Sequence, residues 1–449
     1  MDLQYKEQES FLLNRVNGIK CVLFDTENTK QILNNSVSYS QLLLKDYFYF
    51  DYLTNKRRSK LNITAVVILD STNLKMLIDE LIDPYYNSYI VCFKNTVDPF
   101  ALEILAGADR NGVVLEVHEI NMEAIKIDEY FYKLRLENLI SFFHSLNLNP
   151  NFCTMKNISE EILKKVNLQE FNYEKSGHLL ILERNFDLIT PLMTDWTYQS
   201  SIHQHLFYEN GTVKINNRNF SIKDEFFNEN KFLDLQKVGE NLKLLIKELE
   251  RKKHNISNNQ YDDIEEATNY SKVIETHLSI HNKVLDECMR LEDVGLSEIR
   301  LLKNENHFEM PAGLSKKQLI KLQILNSLKQ NSKDFNLNEE LHHKFIELFN
   351  PINFAYKYTF NDQTTLLSYE SPIKKIVKHF IKNKLNQTAF TKINKEGEDS
   401  NIFFIYIHGG VTYREYKDIM KQAKNLNAQV YLLSNKIVNQ NYFLQKLGL

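Results

Sequence analysis

The sequence predicts an α/β protein with a parallel-sheet N-terminal region, a discontinuous second α/β region, and a mainly helical insertion with a projecting hairpin. Three observations predict it. Short apolar runs alternate with amphipathic segments through the first 120 residues, helical patterns fill 226–302, and strand–helix alternation returns in the last hundred. At 449 residues the chain exceeds what one hydrophobic core spans, so two or three domains are expected.

The first region reads strand by strand. Cys21 to Phe24, Ala65 to Leu69, Tyr89 to Phe93 and Val113 to Val117 are short and rich in β-branched residues. Between them Leu74, Leu77, Ile78 and Leu81 repeat at helical spacing, and Asp98-Pro99 opens the next helix. No glycine-rich phosphate loop follows the first strand, where Phe24-Asp25-Thr26-Glu27 stands instead, so the sheet reads as a binding scaffold rather than a nucleotide site. From about Ile127 to Val166 the pattern is helical.

The chain is organised around Gly177 to Gln199. Leu179 to Leu182 reads as a buried strand, Glu183, Arg184 and Asp187 as a charged solvated turn, and Thr190-Pro191 as N-cap and first residue of a helix. Trp196 and Tyr198 are large enough to anchor two layers. Beyond it, Phe232, Leu235, Val238, Leu242, Leu245, Ile246 and Leu249 mark one long helix and Tyr261 to Leu291 a second, joined by the polar stretch His254 to Gln260. Further helices are expected at Ser315 to Leu328 and Asn338 to Phe349. The last hundred residues give a helix at Pro372 to Leu385, a strand at Ile402 to Ile407, a turn at Gly409-Gly410, a helix at Thr412 to Leu426 and a strand at Val430 to Leu433. Two strands are marginal as a sheet, so the Leu179 strand is their expected partner and the helical region an insertion.

Composition excludes several classes. A net charge of −3 is unlike a dedicated nucleic-acid binder, and no run approaches a membrane span. Cys21, Cys92, Cys153 and Cys288 show no CxxC pairing and read as buried free thiols of a cytosolic protein. Catalytic machinery is not evident. His408-Gly409-Gly410 resembles an esterase oxyanion segment but lacks a GxSxG elbow, and Glu183 with Asp187 lacks a completing histidine. His277 and His281 are four apart without HExxH or a third ligand, so they read as solvated helix histidines, as do His203, His205, His342 and His343. No metal and no cofactor are expected. Lys56-Arg57-Arg58 and Arg251-Lys252-Lys253 are basic clusters that read as solvated surface, with steering of an acidic helical partner or an anionic membrane as the alternative.

Four stretches resemble the SM (Sec/Munc) family of regulators of SNARE-mediated fusion. The central one carries Glu183-Arg184, Asp187, Thr190-Pro191-Leu192 and Trp196-Thr197-Tyr198-Gln199, with Glu183 where the family usually has aspartate. The others are CVLFDTENT with a helix through Leu42 to Phe50 and Asp51, GADRNGVVLEVHEI, and IHGGVTYRE with Gly409 and Gly410. Their wording is closest to the endosomal, vacuolar-protein-sorting branch. The resemblance implies a three-domain arch, with domain 1 at 1–121, a discontinuous domain 2 at 122–212 and 350–449, and a shortened helical domain 3 at 213–349. It implies a non-enzymatic protein that binds a syntaxin-type SNARE and SNARE complexes and promotes their assembly. Such a protein would be a cytoplasmic monomer, associated with Golgi and endosomal membranes through SNAREs, with small-GTPase effectors as further partners. A syntaxin N-terminal peptide groove would be lined by Leu102, Leu105, Val114 and Val117 with Glu119 at its rim. The SNARE cleft and hairpin would use Lys45, Arg57, Arg58, Lys272, His277, His281 and Lys283, chosen for exposure and charge. Relatives often carry proline near Ser271, so its absence implies a straighter hairpin. The competing classes are an esterase-like hydrolase using His408 and a tether or adaptor that binds small GTPases.

Overall fold

The computed structural model describes residues 18–449 except 38, 57–58, 121–123, 161, 163, 165–172, 210, 258–262, 304–312, 331–338, 362–365 and 393–399. Its first sheet has five strands, β1 (Lys20–Phe24), β2 (Tyr47–Tyr52), β3 (Leu61–Leu69), β4 (Tyr86–Phe93) and β5 (Val114–Glu119), in the order β2-β1-β3-β4-β5. Every pairing is parallel, with Leu23 opposite Val67, Val67 opposite Val91, and Val91 opposite Val117. The helices are α1 (Glu27–Ser36), α2 (Tyr39–Leu43), α3 (Leu74–Ile82) and α4 (Pro99–Ala108). Both faces of the sheet are apolar, as crossover helices require. One packs Leu23, Val67, Val91 and Phe93 with Leu77, Leu81 and Leu105, and the other packs Val22, Ile68 and Cys92 with Ile32 and Leu33. One expectation fails here. Tyr47–Tyr52 is strand β2 rather than the end of a helix from Leu42, because its run of aromatics pairs along β1 and helix α2 stops at Leu43.

The stretch expected to be helical from 127 to 166 contains three strands and a short helix: β6 (Ile125–Asp128), β7 (Phe131–Lys133), α5 (Leu139–Ser145) and β8 (Leu148–Met155). Asn147 takes a left-handed conformation (φ 49°), which ends α5 and releases the chain into β8. The second large sheet has seven strands. Its members include β9 (Lys175–Glu183), and later β15 (Phe390–Lys392), β16 (Ile402–His408) and β17 (Gln429–Ser434), in the order β15-β8-β9-β16-β17-β7-β6. The Leu179 strand therefore does lie beside β16, and β16 beside β17.

Between β9 and β15 run α6 (Tyr198–His205), a small antiparallel meander of β10 (Phe207–Glu209), β11 (Thr212–Ile215) and β12 (Arg218–Ser221), and α7 (Glu225–Asn230). The long helices α8 (Leu235–Ser257) and α9 (Asp263–Arg290) follow, then α10 (Glu292–Lys303), α11 (Lys316–Gln330), α12 (Glu339–Phe349), the short pair β13 (Thr359–Phe360) and β14 (Tyr369–Glu370), and α13 (Pro372–Ile381). Helices α14 (Tyr413–Asn425) and α15 (Gln440–Lys446) flank β17. The chain divides into two compact units, one of Met1–Cys153, Ile158–Leu179 and Lys392–Phe404, the other of Thr154–Asn157, Leu180–Thr391 and Ile405–Leu449. Among the described residues no helix is long and apolar enough to cross a membrane. All four cysteines are buried and free.

Candidate SNARE-binding surfaces and the signature core

The signature turn after β9 is buried rather than solvated. Arg184 and Asp187 are 5% and 6% exposed, and only Glu183 is half-buried. A guanidinium survives there because each N–H group it commits meets an oxygen: Nη1 donates to Glu415 Oε2 (2.8 Å) and to the Gly410 carbonyl (3.3 Å), and Nη2 to the Asp187 carbonyl (2.6 Å). Burial disfavours its charge, but Glu415 and Asp187 outweigh that and hold its pKa above the ordinary arginine value. Glu415 in turn closes a capping box with Thr412 at the start of α14. Gly409 (φ 92°) and Gly410 (φ 114°) are required twice over, by backbone conformation and by space. A Cβ at Gly409 would fall 2.7 Å from Arg184 Cβ, and one at Gly410 2.4 Å from Val438 Cγ1.

Thr190-Pro191 opens only one 3-10 turn, Thr190–Leu192, and Thr190 is not its N-cap. The reason is Asp187, whose Oδ1 accepts from Ile189 N–H and Thr190 N–H (both 3.0 Å) and whose Oδ2 takes the Thr190 hydroxyl. The true helix, α6, starts at Tyr198. Asp195, just before it, pairs with Arg414 Nε (2.8 Å). The next turn is tied to the helical insertion by a cluster invisible in the sequence. Thr194 N–H donates to Glu298 Oε2 (2.8 Å), while Lys321 Nζ reaches Glu298, Thr194 Oγ1 (3.0 Å) and Gln440 Oε1 (2.8 Å). Trp196 lies over Gly295, where a Cβ would meet Trp196 Cζ2 at 2.3 Å.

Helix α4 and edge strand β5 bring the expected peptide-groove residues to one region. Asp98 caps α4 through Phe100 N–H (2.8 Å), and Glu119 Oε1 accepts from Val97 N–H (2.7 Å), fixing the loop that enters the helix. Leu102 (40% exposed) and Val117 (41%) are open, whereas Leu105 (3%) belongs to the sheet core and Val114 packs against it. Glu119 is exposed at the strand end. Sequence reasoning passed over Phe100, Ile104 and Leu115, which are exposed on the same two elements.

In the hairpin the two histidines overturn the expectation that exposure selects them. His277 is fully buried and His281 is 8% exposed. His277 Nδ1 lies 2.8 Å from Tyr198 Oη and its Nε2 3.0 Å from Asp224 Oδ2, so the ring ties α9 to α6 and to the N-cap of α7. His281 Nε2 donates to the Leu235 carbonyl (2.8 Å). The signal was present but unread: Ala267, Tyr270, Ile274, His277, His281, Val284 and Cys288 alternate spacings of three and four and face Leu235, Val238, Leu242, Leu245 and Leu249. Helix α9 runs unbroken through Ser271, as the missing proline implied. Lys272 and Lys283 are exposed, the latter 3.3 Å from Glu287. Lys45 is exposed after α2, and Arg57 and Arg58 lie outside the described residues. His203 is also no solvated histidine. Burial pushes its pKa down to about 4, beneath the edge of Tyr413.

Burial raises the thiols of Cys92, Cys153 and Cys288 to about 12, 11 and 11, far from thiolate nucleophiles, and no group of three potential metal ligands occurs among the described residues.

The model of the Sec1 family matches residues 20–446. The chain belongs to the Sec1 family. Vacuolar protein sorting-associated protein 45 of Dictyostelium discoideum is 28% identical over 328 residues, covering 62% of this chain and 58% of that protein. Its Saccharomyces cerevisiae counterpart is 24% identical over 401 residues, covering 79% and 67%. This Sec1-family chain spans 58% and 49% of the Dictyostelium and mouse relatives it matches. Among solved structures, the SM protein Vps45 in complex with the Qa SNARE Tlg2 (1-310) superposes with a TM-score of 0.83 at 19% identity, covering 100% of this chain and 97% of that one. The Unc18–syntaxin 1 complex from Monosiga brevicollis gives 0.82 at 15%, covering 100% and 99%. At these identities the structures establish a shared fold.

Proposed function

We propose that this Sec1-family chain is a non-enzymatic regulator of vesicle docking and fusion that holds a syntaxin-type Qa SNARE and promotes SNARE assembly in Golgi and endosomal traffic. The observation that carries the reading is the family match across nearly the whole chain, joined to a fold like that of a Vps45 solved with its Qa SNARE. The open apolar surface of Leu102 and Val117 over Leu105 and Val114, with Glu119 at one end, suits an extended SNARE N-terminal segment. The hairpin would present Lys272 and Lys283 to a SNARE helix, with His277 and His281 holding it straight from inside. Two SNARE helices held in register shed part of their ordering cost before they coil together. We read the chain as three parts, 1–121, 122–212 with 350–449, and 213–349, the last carrying the hairpin.

The test is calorimetric titration with the cytosolic region of the endosomal syntaxin, with and without its N-terminal segment. Val117→Glu sets a carboxylate in the apolar surface and should weaken binding at least tenfold, with no further loss when the segment is removed. Binding insensitive to both changes would leave the groove without a role, and absence of binding to every syntaxin would refute the function.

A further inference from the structure

The chain carries a slight net negative charge, yet the exposed charges of two packed helices, α13 and α14, are all lysines. Helix α13 buries Pro372, Ile373, Ile376, Val377 and Phe380, leaving Lys375 and Lys378 on its outer face, followed by exposed Lys382 and Lys384. Residues 372–384 contain five lysines and no acid. Helix α14 packs beside α13, with the Ser371 hydroxyl at the head of α13 donating to Asp418 of α14. On α14 too, the exposed charges are lysines, Lys421 and Lys424. Its acids are turned inward, Glu415 onto Arg184 and Asp418 onto Ser371, each at most 5% exposed. Lys374 is taken by Glu370. Among the described residues no acidic side chain lies within ion-pair distance of Lys375, Lys378, Lys382, Lys421 or Lys424.

We propose that the lysine face of α13 and α14 is a docking surface for an anionic lipid bilayer, through which the chain contacts membrane directly and independently of any SNARE. Charge complementarity names the class of partner, and the kind of residue narrows it. The surface holds lysines alone, hydrated point charges suited to a diffuse field rather than the forked arginine contacts of specific carboxylate recognition. Protein interfaces are depleted in lysine and built on aromatic or arginine anchors, whereas no large apolar side chain on either helix is exposed. A surface without anchors cannot insert or grip, but it can lie flat on a charged leaflet, where each lysine near the surface is worth about a fivefold gain in binding.

The test is flotation of the purified full chain with vesicles of phosphatidylcholine alone or with a third phosphatidylserine, at 0.1 and 0.5 M salt. The chain should float with the anionic vesicles at low salt only. Lys375→Gln/Lys378→Gln/Lys382→Gln should weaken that binding on the order of a hundredfold, the corresponding triple arginine variant should retain it, and Lys237→Gln/Lys243→Gln/Lys247→Gln on the exposed face of α8 should leave it intact. Circular dichroism checks that each variant folds. The proposal is overturned if the chain ignores anionic vesicles, or if the α13 and α8 variants lose binding equally. It is also overturned if the α13 variant floats normally but loses affinity for a syntaxin, because the surface then serves an acidic protein segment. Failure of syntaxin binding by the unmodified chain would leave this result unaffected.

Discussion

Replacing Arg184 with methionine removes the charge that neutralises Glu415 inside the core. Glu415 is completely buried, and among the described residues its Oε2 would keep only the Thr412 N–H (2.9 Å) and hydroxyl (3.1 Å), while Oε1 has no partner. The carbonyls of Gly410 and Asp187 would each lose a charged donor. Stranding one member of a buried ion pair costs about 3–5 kcal/mol, so Arg184→Met should lower stability by that amount. Adding Glu415→Gln removes the stranded charge yet keeps an oxygen for the Thr412 cap, and should recover about 2 kcal/mol as non-additivity in the cycle. The assay is urea unfolding followed through Trp196, the only tryptophan, which packs on Gly295 in the same unit as the pair. A single-variant loss below about 1 kcal/mol, or a double variant no more stable than the single, would refute this account of the signature.

Other consequences follow from the same geometry. Asp70 sits at the end of β3, where burial opposes its ionisation but the Thr72 N–H and hydroxyl and the Lys94 ammonium (3.0 Å) outweigh it, holding its pKa at about 2. A depressed carboxylate stabilises above its unfolded pKa and loses that contribution as pH falls through the folded one. Asp70→Asn should therefore remove on the order of 2 kcal/mol at neutral pH and flatten the stability profile between roughly pH 4 and 2. His203, held neutral to about pH 4 by burial, gives a second window. The unfolded chain takes up this proton near pH 6.5 and the folded chain does not, so stability falls from about pH 6.5 to 4, and His203→Asn should lessen that slope in pH-resolved urea titrations. Gly295→Ala should cost about 1–3 kcal/mol and shift Trp196 emission, since Cβ meets the indole at 2.3 Å. His277→Leu strands Tyr198 Oη and frees Asp224 from the hairpin, and should speed amide exchange at the base of α9 while leaving the N-terminal unit unchanged.

Periodicity carried the parallel sheet, because β1, β3 and β4 are buried on both faces and so read as continuous β-branched runs. It carried α13, α14 and the β9-β16-β17 neighbourhood for similar reasons. It failed where a segment's state is decided elsewhere. Residues 125–155 hold apolar side chains at spacings compatible with a helix, and the left-handed Asn147 together with pairing partners far along the chain turns three stretches of them into strand. The signature motif named the family, but charged residues in a turn were read as solvated by default. Arg184 and Asp187 are buried because Glu415 and Thr190 meet them, the first of those partners more than two hundred positions away. The histidines of α9 were misjudged for a more local reason. Polar type was allowed to outweigh a seven-residue repeat that places positions 270, 277 and 284, and 274, 281 and 288, against α8.

Hydrogen–deuterium exchange of the full chain with and without a saturating Qa SNARE tests the central claim most directly. The account predicts slowed exchange in α4 and β5 (99–119), removed when the SNARE lacks its N-terminal segment, and slowed exchange along α8 and α9 that persists without it. Unchanged exchange in both regions, with the SNARE present in excess, would contradict it.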